Sequence, residues 1–132
     1  MLVRTELMPS SKPEPVMIRV YTPVGHAVVV WRGEPNEAAG RHFIEWTVGE
    51  DILWGVNTRP ALLAEPGVWE EAGRVVLRGR LELVEEPVAV LAVGDSQVLL
   101  EVGSPPPPDN IDGTWVEISL AVETVELYPY SL

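Results

Sequence analysis

The sequence predicts an all-β fold, a single antiparallel β-barrel or sandwich of about nine strands. Three observations point there. Apolar and polar residues alternate with period two over most of the chain, the apolar runs are short, and Gly, Pro and acidic residues separate them. With 132 residues, 46% of them hydrophobic, the chain can bury one core. It needs no disulfide staple, and there is no cysteine to make one.

Residues 1–15 include Pro9, Ser10, Ser11, Lys12, Pro13 and Pro15 and carry no apolar period. They are expected to form an extended, poorly ordered segment ahead of a single β domain spanning residues 16–132. Strands are expected at 16–21, 27–32, 42–48, 52–57, 74–84, 88–93, 97–102, 114–122 and 125–128. In 114–122, Val116, Ile118, Leu120 and Val122 share one face while Glu117 and Ser119 take the other, with Trp115 on that wetter side. In 74–84, Val75, Leu77, Leu81 and Leu83 point inward and Arg74, Arg78, Arg80 and Glu82 outward. The run 88–93 is apolar on both faces, which suits a strand inside a sheet. Thr58 is placed to cap a short helical turn through Ala64, and 34–39 suits another. Pro105, Pro106, Pro107 and Pro108 lack amide donors and make 103–113 a stiff loop.

Two hairpins follow from the turn residues. Gly94 and Asp95 suit a two-residue turn, because Gly adopts positive φ at little cost. Gly49, Glu50 and Asp51 suit a three-residue loop that sets Val48 opposite Ile52 and Trp46 opposite Trp54, both tryptophans facing the core.

Charge narrows the partners. With 9 basic against 20 acidic residues, the formal net charge of -11 repels phosphate backbones and anionic headgroups, so neither nucleic acid nor membrane is expected as a partner. Arg4 and Glu6 stand where a secretory signal needs apolar residues, and the apolar runs fall far short of the roughly 20 residues of a spanning helix. A cytoplasmic location is the expectation. Lys12 is the one lysine beside eight arginines, a bias that GC-rich bacterial codon usage produces.

No catalytic pattern stands out. Gly94, Asp95 and Ser96 match the start of a serine-nucleophile block, but they already serve a hairpin turn. His26 and His42 lack the spacing of a zinc site, Glu70–Glu71 and Glu85–Glu86 fall in turns, and no glycine-rich phosphate loop occurs. No enzyme activity, metal or cofactor is expected. The candidate binding residues are Trp115, an aromatic on a polar face, with Arg78 and Arg80, whose guanidinium forks suit a carboxylate or another anion. The expected function is a non-catalytic interaction module that meets a protein partner or a second copy. The alternative is a barrel holding a small apolar or anionic ligand.

One stretch resembles a known class. Residues 74–130 combine a long first strand, the Gly94-Asp95-Ser96 hairpin, a Pro-rich link, then Gly113-Thr114-Trp115-Val116 and a closing Leu127-Tyr128-Pro129. This resembles the small OB-like β-barrel modules, including the TOBE type attached to transporters and oxyanion-binding proteins. The resemblance covers under half of the chain and implies an OB-like C-terminal half, with no ligand-binding residue to carry across. The excess of acid departs from nucleic-acid-binding OB modules, whose grooves are positively charged.

Overall fold

Alternation along the chain is realised as eleven strands. A computed structural model describes residues 1–9 and 14–131. The strands are β1 (Leu2–Leu7), β2 (Val16–Thr22), β3 (Gly25–Trp31), β4 (Gly40–Val48), β5 (Thr58–Pro60), β6 (Gly67–Glu71), β7 (Arg74–Leu83), β8 (Val88–Val93), β9 (Ser96–Glu101), β10 (Trp115–Ala121) and β11 (Val125–Tyr130). Short 3-10 turns at Pro35–Glu37, Asp109–Ile111 and Val122–Thr124 are the helical elements among the described residues.

Five strands close on themselves in the order β11-β4-β1-β2-β3, with β11 returning to β3. That closure depends on β11 having a partner on each side. It pairs antiparallel with β4, from Val125 opposite Val48 to Tyr130 opposite Phe43, and parallel with β3, where Glu126 and Leu127 face Val30 and Trp31. Each strand turns alternate residues inward, and Val3, Ile18, Val20, Ala27, Val29, Trp31, Ile44, Trp46, Val125 and Leu127 pack into one buried cluster.

The remaining strands form an arm in which β6, β7, β10 and β5 lie side by side, and β8 and β9 extend from the far end of β7. The arm joins the barrel where β3 forks. Its start pairs with β6 through Gly25 and Val68, and its end pairs with β11. A Cβ on Gly25 would sit 1.9 Å from the Val68 carbonyl oxygen, and φ there is +139°, so only glycine lets the two backbones meet. Strand β7 forks likewise. β10 covers one edge, while the other is held by β6 up to Arg78 and by β8 from Arg80 onward. Gly79 stands at that handover, where a Cβ would lie 2.3 Å from the Ala92 carbonyl oxygen.

Several expectations need correcting. The fold does not start near Val16: β1 is extended as expected but is a paired strand between β2 and β4, with Val3 and Thr5 buried. Ser10, Ser11, Lys12 and Pro13 lie outside the described residues. The hairpin through Gly49 does not form, because β11 supplies six consecutive partners along β4 and sets Leu127, not Trp54, opposite Trp46. Residues 52–57 make only isolated bridges, Ile52 to Val102 and Trp54 to Thr58. Thr58 begins strand β5 rather than capping a helical turn, since β10 offers it a partner at Ile118. The five strands of the closed barrel come from residues 2–48 and 125–130, so the closure lies largely outside the OB-like stretch.

Candidate functional site

The three candidate residues fall on one face. β7 and β10 set Trp115 opposite Arg80, Glu117 opposite Arg78, Ser119 opposite Val76 and Ala121 opposite Arg74, so the period-two reading brings Trp115, Arg78 and Arg80 together on the outer surface of the arm. Their engagements differ. The Arg78 side chain keeps only 13% of its exposure: its Nε donates to the Glu65 carbonyl at 2.7 Å, its other nitrogens reach Glu65 and Glu117 at 3.4 Å, and its guanidinium lies 4.9 Å over the Trp69 ring. Arg78 is a tie between elements. Arg80 is exposed and donates through Nε to the Gly113 carbonyl at 2.9 Å, with no carboxylate in ion-pair range among the described residues. Trp115 is half-buried.

Glu117 departs from its expected wet setting. It is on the outward side of β10 yet only 8% exposed, because Arg59 at 2.9 Å and Arg78 at 3.4 Å close over it. Nearby, Glu50 accepts hydrogen bonds from the Ala121 N–H at 2.8 Å, Asn57 Nδ2 at 2.9 Å and Arg74 at 3.0 Å. Burial pushes the Glu50 carboxyl up, but those three donors outweigh it and hold the group below its usual range. Asn57, Arg59, Glu71, Arg74, Glu117 and Ser119 thus line a surface depression of about 380 Å³ in which every arginine already faces a carboxylate. An anionic ligand there would have to displace a protein carboxylate.

The most exposed apolar side chain among the described residues, Leu62, lies next to this face. Residues 61–66 connect β5 to β6, and at their tip Leu62 is 96% exposed and Leu63 52%. The loop is anchored at both ends. The Ala61 N–H donates to the Trp115 carbonyl at 2.9 Å, and Arg78 holds the Glu65 carbonyl. Sequence reading missed these leucines by assigning the segment to a helical turn. The signal was present in Pro60 and Pro66, which bracket an apolar run too short for a helix.

Other candidates resolve into structure. His26 lies 5.6 Å from the Tyr21 ring, and His42 packs on Trp31 and bonds to the Glu37 carbonyl; neither hydrogen-bonds to Ser96, which is buried in the β8–β9 hairpin. Among the described residues no group of three or more His, Cys, Asp or Glu is placed to hold a metal ion. The tetraproline loop is pinned where Trp54 N–H donates to the Pro105 carbonyl at 2.7 Å. Among the described residues no helix is long and apolar enough to cross a membrane. No family model, curated protein or solved structure matches the chain.

Proposed function

We propose that the chain is a non-catalytic protein-interaction module whose contact surface is the tip of loop 61–66, flanked by Trp115 and Arg80. The observation that carries this reading is Leu62, 96% exposed beside Leu63 on a loop tied down on both sides. Burying a leucine side chain is worth about 1.5–3 kcal/mol, and here a partner would gain that without first ordering the loop. Trp115 and Arg80 add residue types enriched at the energetic centres of interfaces.

The alternative, a small ligand inside the barrel, has less support, because the barrel's own side chains occupy its interior. Nucleic acid is an unsuitable partner: Arg74 and Arg78 are tied to Glu50, Glu65 and Glu117, which leaves no continuous cationic track.

The test is a Leu62→Ser, Leu63→Ser double variant, which removes the apolar tip without touching the core. Quantitative capture and sedimentation at matched concentration should show at least a tenfold loss of a partner or of self-association, with unchanged thermal stability. Equal association of wild type and variant would overturn the reading, as would a monomer that retains nothing.

A further inference from the structure

Strand β8 is apolar on both faces, and the fold covers only one of them. Ala89, Leu91 and Val93 turn into the core and are fully buried, whereas Val88 is exposed and Val90 and Ala92 stay half-buried between the outward residues of β7 and β9. β4 runs alongside the far edge of β9, so what stays open here is the face of the sheet and not its edge. A sheet with one wet face carries polar residues on it, as β7 does with Arg78, Arg80 and Glu82 and β10 with Glu117 and Ser119. β8 breaks that rule, and so does Leu99 beside it on β9, 65% exposed.

Strand pairing fixes where each outward side chain stands. Arg80, Ala92 and Gln97 form one row across β7, β8 and β9; Glu82, Val90 and Leu99 form the next, and Val88 with Glu101 the last. Arg80 and Glu101 therefore occupy opposite corners of the patch, with Val90 at its centre. Neither side chain is in an ion pair among the described residues. Arg80 uses only its Nε, on the Gly113 carbonyl, and Glu101 meets Ile52 through its backbone carbonyl, which leaves the carboxylate uninvolved. Residues two apart on a strand are separated by about 7 Å and neighbouring strands by about 5 Å, so the patch is close enough to square for its corners to exchange within side-chain reach.

We propose that this face docks on the same face of a second copy, about a twofold axis that lies in the face along the diagonal through Gln97 and Val90. The strands of the two copies then cross at roughly 90°, one of the two preferred ways for sheets to stack. That single operation stacks Val90 on the partner's Val90, sets Arg80 on the partner's Glu101 and Glu101 on the partner's Arg80, and lays protruding Leu99 over the partner's Ala92, the smallest side chain of the patch. Charge and shape match together, and this self-match selects a second copy over an unrelated partner. The net charge of -11 opposes docking at long range, but it is screened beyond about 8 Å at physiological ionic strength, while the Arg80–Glu101 pairs are made in contact. The Leu62 tip lies beyond β10 and is not part of this face, so either surface can fail alone.

Charge exchange tests this by sedimentation of the whole protein at physiological ionic strength. Wild type should dimerise, and Arg80→Glu and Glu101→Arg, each of which places like charges at both contacts, should weaken the dimer at least tenfold. Mixing the two single variants should restore a one-to-one heterodimer, because every contact then joins opposite charges, and that recovery also shows that both are folded. The double variant should dimerise as wild type does. Leu99→Asp should abolish the dimer, and Leu62→Ser with Leu63→Ser should leave it intact. The proposal is overturned by a wild type that stays monomeric at millimolar concentration, by a mixture of the single variants that stays monomeric, by a dimer that survives Leu99→Asp, or by one that is lost with Leu62 and Leu63.

Discussion

Among the described residues every barrel strand pairs on both sides, whereas in the arm the pairings run out: β5 pairs only with β10, and β9 only with β8. The barrel is sealed by one long-range event, the return of β11 to β3 and β4, while β6 to β9 are joined by successive hairpins. Closure pairs the backbone internally along the barrel strands, and the arm leaves one edge of β5 and of β9 outside any ladder. The same contrast appears in side chains, since the two most exposed leucines among the described residues, Leu62 and Leu99, both belong to the arm.

The sharpest way to break the comparison is at the two forks. Gly25→Ala combines a 1.9 Å clash with the Val68 backbone and a φ of +139°, and should cost about 4 kcal/mol in urea unfolding. Gly79→Ala meets the Ala92 oxygen at 2.3 Å without the dihedral penalty and should cost about 2 kcal/mol. Equal losses would mean that the barrel junction is no stricter than the handover within the arm.

The tryptophans separate the regions next. Trp46 is 6% exposed in the barrel wall, and Trp46→Ala should cost about 3–5 kcal/mol by equilibrium denaturation. Trp54, half-buried in the link and packed against the core only at its margin, should cost about half as much. This ratio also measures what the sequence concealed. Period-two alternation correctly placed Val75, Leu77, Leu81, Val116, Ile118 and Leu120 in the core and paired Val93 with Ser96, because faces and tight turns are local properties. The partner of Trp46 was not legible, because the choice between Trp54 and Leu127 rests on a strand far along the chain that alternation cannot rank. For the site, Trp115 and Arg80 followed from facing, whereas the engagement of Arg78 with Glu65 depended on a loop conformation that no local pattern encodes.

Acid should loosen the link before the barrel. Glu50 ties that link to β7 and β10, and its folded carboxyl lies below the unfolded value of 4.5 because the Ala121, Asn57 and Arg74 donors outweigh burial. A depressed carboxyl contributes stability that is present above pH 4.5 and is lost as pH falls through the folded value. Unfolding midpoints measured across that range should therefore drop more steeply for the wild type than for Glu50→Gln, which should itself lose about 2 kcal/mol at neutral pH. Parallel acid profiles would assign the loss to carboxylates elsewhere.

The smallest effect sharpens the contrast by improving the arm. In the β6–β7 hairpin Glu71 pairs with Arg74, leaving Ala72 and Gly73 as the two central turn residues with φ of 54° and 74°. Positive φ at both positions is the geometry whose twist matches the flanking strands, and it favours Asn or Gly at the first. Alanine there brings its Cβ against backbone, a penalty of about 1 kcal/mol, and it gains no hydrogen bond in return. Ala72→Asn keeps the turn, lowers that strain and should raise stability by about 0.5 kcal/mol, a small upward shift in the thermal midpoint. The gain depends on the hairpin opening only with the rest of the arm. If the β6–β7 turn frays independently, the midpoint will not move and amide exchange at Glu71 and Arg74 will slow without it, which would divide the arm into a β6–β7 unit and a β8–β9 unit.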